Sequence, residues 1–201
     1  GGYRKSDGWE PLGIVGYYDT FGPELSFGEA LRKQLVENIA IAKFTHSGSQ
    51  IIDWTPEGSM AEDRHLYPRL ITFVKESIKE LSDKGHELET VGIFYHLGEN
   101  DMSFHPYRKQ AAERLRAIIK QSREDLEMPG LKWFVSQQPP TDDKRVNNLD
   151  VVADVEKVAA GDEAMIHLKA FDLPPQEKKL VINTAGIVRL GEFLAKGYLK
   201  N

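Results

Sequence analysis

Cysteine is absent from the 201 residues, which excludes a disulfide framework and a thiolate metal centre and leaves the redox compartment open. Long apolar runs are missing too: none approaches the ~20 residues of a membrane span. Excess positive charge is lacking. The net charge of -5 argues against a sequence-independent grip on nucleic acid. No two histidines have metal-ligand spacing and the acidic residues are scattered, so neither a metal nor another cofactor is expected. There is no repeat, linker or low-complexity tract. There is no initiator Met either: the chain begins Gly1-Gly2-Tyr3, as a processed or trimmed product would, and no signal peptide is visible.

What is present suits one folded domain spanning 1–201. The hydrophobic fraction is 40% and the charged fraction 28%, enough apolar surface for a sizeable core. After an irregular opening, Ser26 and Glu29 have capping-box spacing and predict a helix running to about Glu37, with Leu31, Leu35 and Val36 as its apolar stripe. Ile39–Phe44 is a candidate strand. Pro68 opens a second helix with Leu70, Ile71, Val74, Ile78 and Leu81 at helical spacing, and Gly85 ends it. Val91–Leu97 reads as a buried strand. Pro106 starts a helix to about Leu126. Leu131–Val135 and Met165–Phe171 are further strands, with a helix over Leu149–Ala160 between them and a final one over Thr184–Leu199. Strands alternating with helices predict an α/β fold with a mainly parallel sheet covered on both faces.

Polar residues cluster where strands end. Thr45-His46-Ser47-Gly48-Ser49-Gln50 follows the first strand and Gly98-Glu99-Asn100-Asp101 the second. Ser136-Gln137-Gln138 opens a proline-rich loop after the third. In a parallel sheet these ends share one edge, where ligands bind. The three loops are therefore expected to converge, with Gly48, Asn100 and Trp54 as neighbours.

Four stretches, in order, carry a family resemblance. They are Gly22-Pro23-Glu24, the Lys43 to Gln50 turn with Trp54 behind it, Tyr95-His96-Leu97-Gly98-Glu99-Asn100-Asp101, and Thr184-Ala185-Gly186 to Glu192. Together they resemble the sialate O-acetylesterase-type branch of the SGNH hydrolases, a group of carbohydrate esterases. Tyr95 stands where that family has Trp, and Leu97 where it has Gln. The resemblance implies a three-layer α/β/α sandwich. It also implies hydrolysis of O-acetyl esters on sugars, an acetylated carbohydrate or other small ester as partner, and a secreted or periplasmic setting. It leaves the oligomeric state open.

Ester hydrolysis on such a fold needs a nucleophilic serine, a histidine base and donors aimed at the oxyanion. By resemblance the donors are the Gly48 N–H and the Asn100 amide. His46, Gln50, Trp54, Glu99, Asp101 and His105 are candidate substrate contacts. Trp54 either stacks on a sugar ring or anchors its loop, and Glu99 and Asp101 either meet substrate or orient theirs. The family's Gly-x-Ser nucleophile lies well before Gly-Pro-Glu, and nothing before Gly22 reads that way. The chain is therefore expected to lack its amino-terminal strand. The family's Asp-x-x-His pair would fall on Lys178 and Val181. The one Asp-x-x-His, Asp83 to His86, reads as a solvated turn. Two functions remain: a hydrolase completed by an upstream nucleophile, or a carbohydrate-binding pseudo-enzyme with the same cleft.

Overall fold

The computed structural model describes residues 6, 8–14, 21–97, 110–137, 148–174 and 182–201. They form two compact units, one of Gly1–Ser47 with Asp172–Asn201 and one of Gly48–Phe171.

The larger unit holds the sheet. Its strands are β1 (Ile93–Leu97), β2 (Trp133–Gln137) and β3 (Met165–Lys169), all parallel and side by side in chain order. Parallel neighbours need a crossover. Here α3 (Ala111–Asp125) lies between β1 and β2 in the chain, and α4 (Asn148–Ala159) between β2 and β3. Phe134 and Val135 alternate in direction along β2 yet both are fully buried, as are Trp133 and Gln137. Trp133-Phe134-Val135 is the apolar run expected of a strand buried on both faces, and the polar Ser136 and Gln137 are buried with it. The fold class is the expected α/β sandwich with a parallel sheet.

One sheet face carries α3, whose buried Ser122 accepts a 3.2 Å hydrogen bond from Trp133 Nε1. α2 (Tyr67–Asp83) has Pro68 in its first turn and stops before Gly85, which sits at φ +85°. Its Tyr67 and Ile71 pack with Leu126 and Leu131. Tyr67 also donates from its hydroxyl to Asp125 at 2.6 Å. The smaller unit pairs α1 (Glu24–Arg32) with α5 (Thr184–Leu199), the latter capped by the Asn183 side chain accepting from Gly186 N–H at 2.8 Å. No helix among the described residues is long and apolar enough to cross a membrane.

Three expectations are corrected. The first helix begins after Pro23, not at a Ser26 cap, and ends at Arg32, not near Glu37. Ser26 lies inside it and donates back to the Pro23 carbonyl, while beyond Leu31 Leu35 is only half-buried and Val36 is 97% exposed, so the buried stripe ends at Leu31. Ile39–Phe44 is not a strand. It is pinned by side chains, with Lys43 ion-paired to Glu24 at 2.8 Å and Ile41 lying against Gly28. The third predicted strand is shifted two residues on, to Trp133–Gln137. Leu131 belongs to the preceding turn, its N–H bonded to Met128 and its carbonyl to Arg123, and the polar Ser136 and Gln137 continue the ladder.

Candidate active site

In the smaller unit Glu24 organises the Gly-Pro-Glu stretch. Its carboxylate accepts from the Gly22 N–H at 3.0 Å and from Lys43 Nζ at 2.8 Å, and the residue is buried. His46 lies further along, its Nδ1 3.1 Å from the Ser47 carbonyl oxygen in an exposed contact.

In the larger unit Gly48 takes φ +66°, a left-handed turn for which glycine is suited, and its surroundings are open. Arg64 holds that turn by donating from Nη2 to the Gly48 carbonyl. The same guanidinium grips Asp53, Nη2 at 2.7 Å and Nε at 3.2 Å from Oδ2. Asp53 also accepts from the Gln50 N–H at 2.8 Å, which closes the first turn of a 3-10 helix over Ile51–Trp54. Burial alone would raise the Asp53 pKa. Arg64 and the Gln50 N–H outweigh burial and hold it below the usual carboxylate value. Trp54 is buried, its ring edge-on to Tyr95 at 6.3 Å, and Tyr95 in turn meets Trp133 at 6.1 Å. This aromatic row ties the Gly48–Trp54 turn to β1 and β2. Tyr95, at the position where the resemblance leads one to expect Trp, is a member of that row.

The carboxyl ends of β1, β2 and β3 lie at one edge, with Leu97 level with Gln137 and Gln137 level with Lys169. Just below it, His96 Nδ1 is 2.8 Å from Ser136 Oγ. On the opposite face of the strands His167 Nε2 is 3.3 Å from Gln137 Oε1. Burial pushes both imidazoles down to about 4; for His167 the nearby Lys169 adds to this and Glu156 opposes it. Both rings are therefore neutral near pH 7.

The family model for carbohydrate esterase, sialic acid-specific acetylesterase, matches residues 9–200. The chain belongs to this family. An X-ray structure of a protein from Arabidopsis thaliana, at 1.6 Å resolution, is similar in fold. The TM-score is 0.69 and the identity 23%, over 94% of this chain and 72% of that one. Comparison with curated proteins finds no match.

Of the residues assigned to this esterase site from sequence, the structure brings Gly48, Gln50 and Trp54 into one turn. His46 lies in the other unit, two residues before that turn begins. Glu99, Asn100, Asp101 and His105 lie outside the described residues, as does the convergence of the loops after β1 and β2. Asp83 pairs with Lys79 at the end of α2 and His86 is exposed. Among the described residues no group of three or more His, Cys, Asp or Glu is placed to hold a metal ion. Sequence reasoning missed Asp53 and Arg64, which shape the Gly48 turn, and the buried Gln137. Eleven positions separate Asp53 from Arg64, beyond helix or strand periodicity, so no local pattern announced the pair. Gln137 was legible only as part of a polar loop.

Proposed function

We propose that this chain is a carbohydrate esterase domain that binds O-acetyl esters of sugars at the carboxyl edge of β1–β3. In this reading the Gly48 N–H and the Asn100 amide are the oxyanion donors. The observation that carries it is the position of β1. It ends at Leu97 on the carboxyl edge of a parallel sheet, and in the sequence Gly98-Glu99-Asn100-Asp101 follows at the edge where such sheets bind ligands. The held turn at Gly48 supports the second donor.

A second reading, sugar binding without hydrolysis, is favoured by one sequence fact. Lys178 and Val181 stand where the resemblance puts the Asp-x-x-His pair. Turnover then needs a base, and a serine nucleophile, from elsewhere. The deciding experiment measures both binding of O-acetylated N-acetylneuraminic acid and release of acetate by the 201-residue chain. The expected result is measurable binding, lost in Asn100→Ala or Trp54→Ala, with little or no turnover. Robust turnover abolished in Ser47→Ala or Ser49→Ala and in His46→Ala or His105→Ala would replace the binding-only reading with an unconventional Ser–His dyad. Failure to bind any acetylated sugar would overturn the proposal.

A further inference from the structure

Gln137 is the last residue of β2 and is fully buried. Its Oε1 is taken by His167, but its Nε2 has no hydrogen-bond partner among the described residues. His167 shows the complementary deficit. An amide oxygen only accepts, so the imidazole Nε2 facing it carries the proton, and Nδ1 is left as an acceptor. That Nδ1 is also buried and, among the described residues, without a partner. Native proteins rarely leave such atoms unmatched, and two on one hydrogen-bonded pair point to a missing polar ligand. Gln137 stands level with the ends of β1 and β3, and His167 lies two residues before the end of β3, just below the carboxyl edge of the sheet.

The chemistry of the two orphans selects the ligand. Gln137 offers N–H donors and His167 offers a lone pair, kept free because burial leaves the ring neutral near pH 7. An anion would meet the lone pair, a cation would meet the Gln137 N–H donors, and an apolar group would leave both atoms unmatched. A hydroxyl accepts from one and donates to the other.

We propose that Gln137 and His167 form a hydroxyl-recognising site, which binds a free hydroxyl of the sugar substrate. This rests on the carbohydrate-binding reading above. Water offers the same hydroxyl chemistry, and the experiment separates the two sources.

The test compares binding of a monoacetylated methyl glycoside with that of its fully acetylated counterpart, which has no free hydroxyl. Wild-type protein should prefer the monoacetylated sugar. Gln137→Met and His167→Phe, which remove the polar atoms but keep a side chain of similar shape, should each weaken its binding about tenfold, the scale of one lost hydrogen bond to ligand. Both should leave the fully acetylated sugar nearly unaffected. Thermal unfolding of each variant checks that it folds, and either variant alone suffices if the other does not. Preference unchanged in a folded variant, with a shift in Tm, marks a structural water only and overturns the inference while leaving the binding function intact. Wild-type protein that binds neither sugar overturns both.

Discussion

Arg64 makes the case at the scale of single residues. It is 32% exposed, yet its partner Asp53 is 2% exposed, accepts directly from the Gln50 N–H and is linked through Arg64 to the Gly48 carbonyl. Breaking a buried ion pair costs about 3–5 kcal/mol because a charge is stranded. Water can reach part of this site from the Arg64 side, so Arg64→Ala should cost about 2 kcal/mol, read by urea unfolding. Arg64→Lys should recover only part of it, because lysine cannot bridge the carboxylate and the Gly48 carbonyl with one planar fork. The acid side of the same pair follows from linkage. The Asp53 pKa is lowered by folding, so its stabilisation is complete above the unfolded value near ~3.9 and is lost as pH falls through the folded value. His96 and His167 act at higher pH. Their folded values of about 4 lie below the unfolded value near ~6.5, so between these limits the unfolded chain binds more protons. Stability should fall as pH drops from about 6.5 to about 4. Urea midpoints at pH 7 and pH 5 check this, and the difference should shrink in His96→Asn; an unchanged difference would remove His96 from the account.

Among the elements, the packing of α5 on α1 depends on one glycine. A Cβ on Gly191 would collide with the Pro23 carbonyl, the Ser26 hydroxyl and the Phe27 N–H of α1. Two of those are backbone atoms that cannot swing aside, so the helices must separate. Overpacking typically costs about 1–3 kcal/mol, and backbone obstruction puts Gly191→Ala at the upper end. Gly186, in the first turn of the same helix, has the Pro174 carbonyl in its way at 2.8 Å. At the entrance to β1, a Cβ on Gly92 would lie 2.8 Å from the Lys132 carbonyl oxygen. That carbonyl accepts from the Ile93 N–H at 2.9 Å, so Gly92→Ala should loosen the first rung between β1 and β2. Hydrogen exchange should show faster exchange at Ile93 and little change at Leu168 on β3.

For the whole molecule the question is how much chemistry a fold of this family retains when its motif positions change. Oxyanion donors and positioning alone leave a residual of ~10³–10⁴ over water in a serine hydrolase stripped of its triad. An aryl acetate assay on this chain should therefore give a rate close to background. Where turnover is measurable, the proposed oxyanion role of Asn100 predicts that Asn100→Ala lowers it by ~10²–10³, the usual cost of one such donor. A rate that is high and insensitive to Asn100 would place the chemistry elsewhere.

Hydrophobic periodicity by itself determined that the chain is α/β and where α2, α5 and β1 run. Those features depend on local signals: Pro68 and Gly85 at the ends of a helix, a β-branched and aromatic run before Gly98. The ordered motifs added the esterase family. Only tertiary structure decided the rest, because the contacts involved link residues far apart in the chain or on opposite sides of a turn. Ile39–Phe44 has strand-like composition, but a strand exists only with a ladder partner, and side chains from α1 hold the segment instead. Ser136 and Gln137 look like loop residues, yet they are buried ladder members because His96 and His167 meet their polar atoms. Burial and hydrogen bonding are joint properties of residues 30 to 40 positions apart, so they are settled when the strands pair.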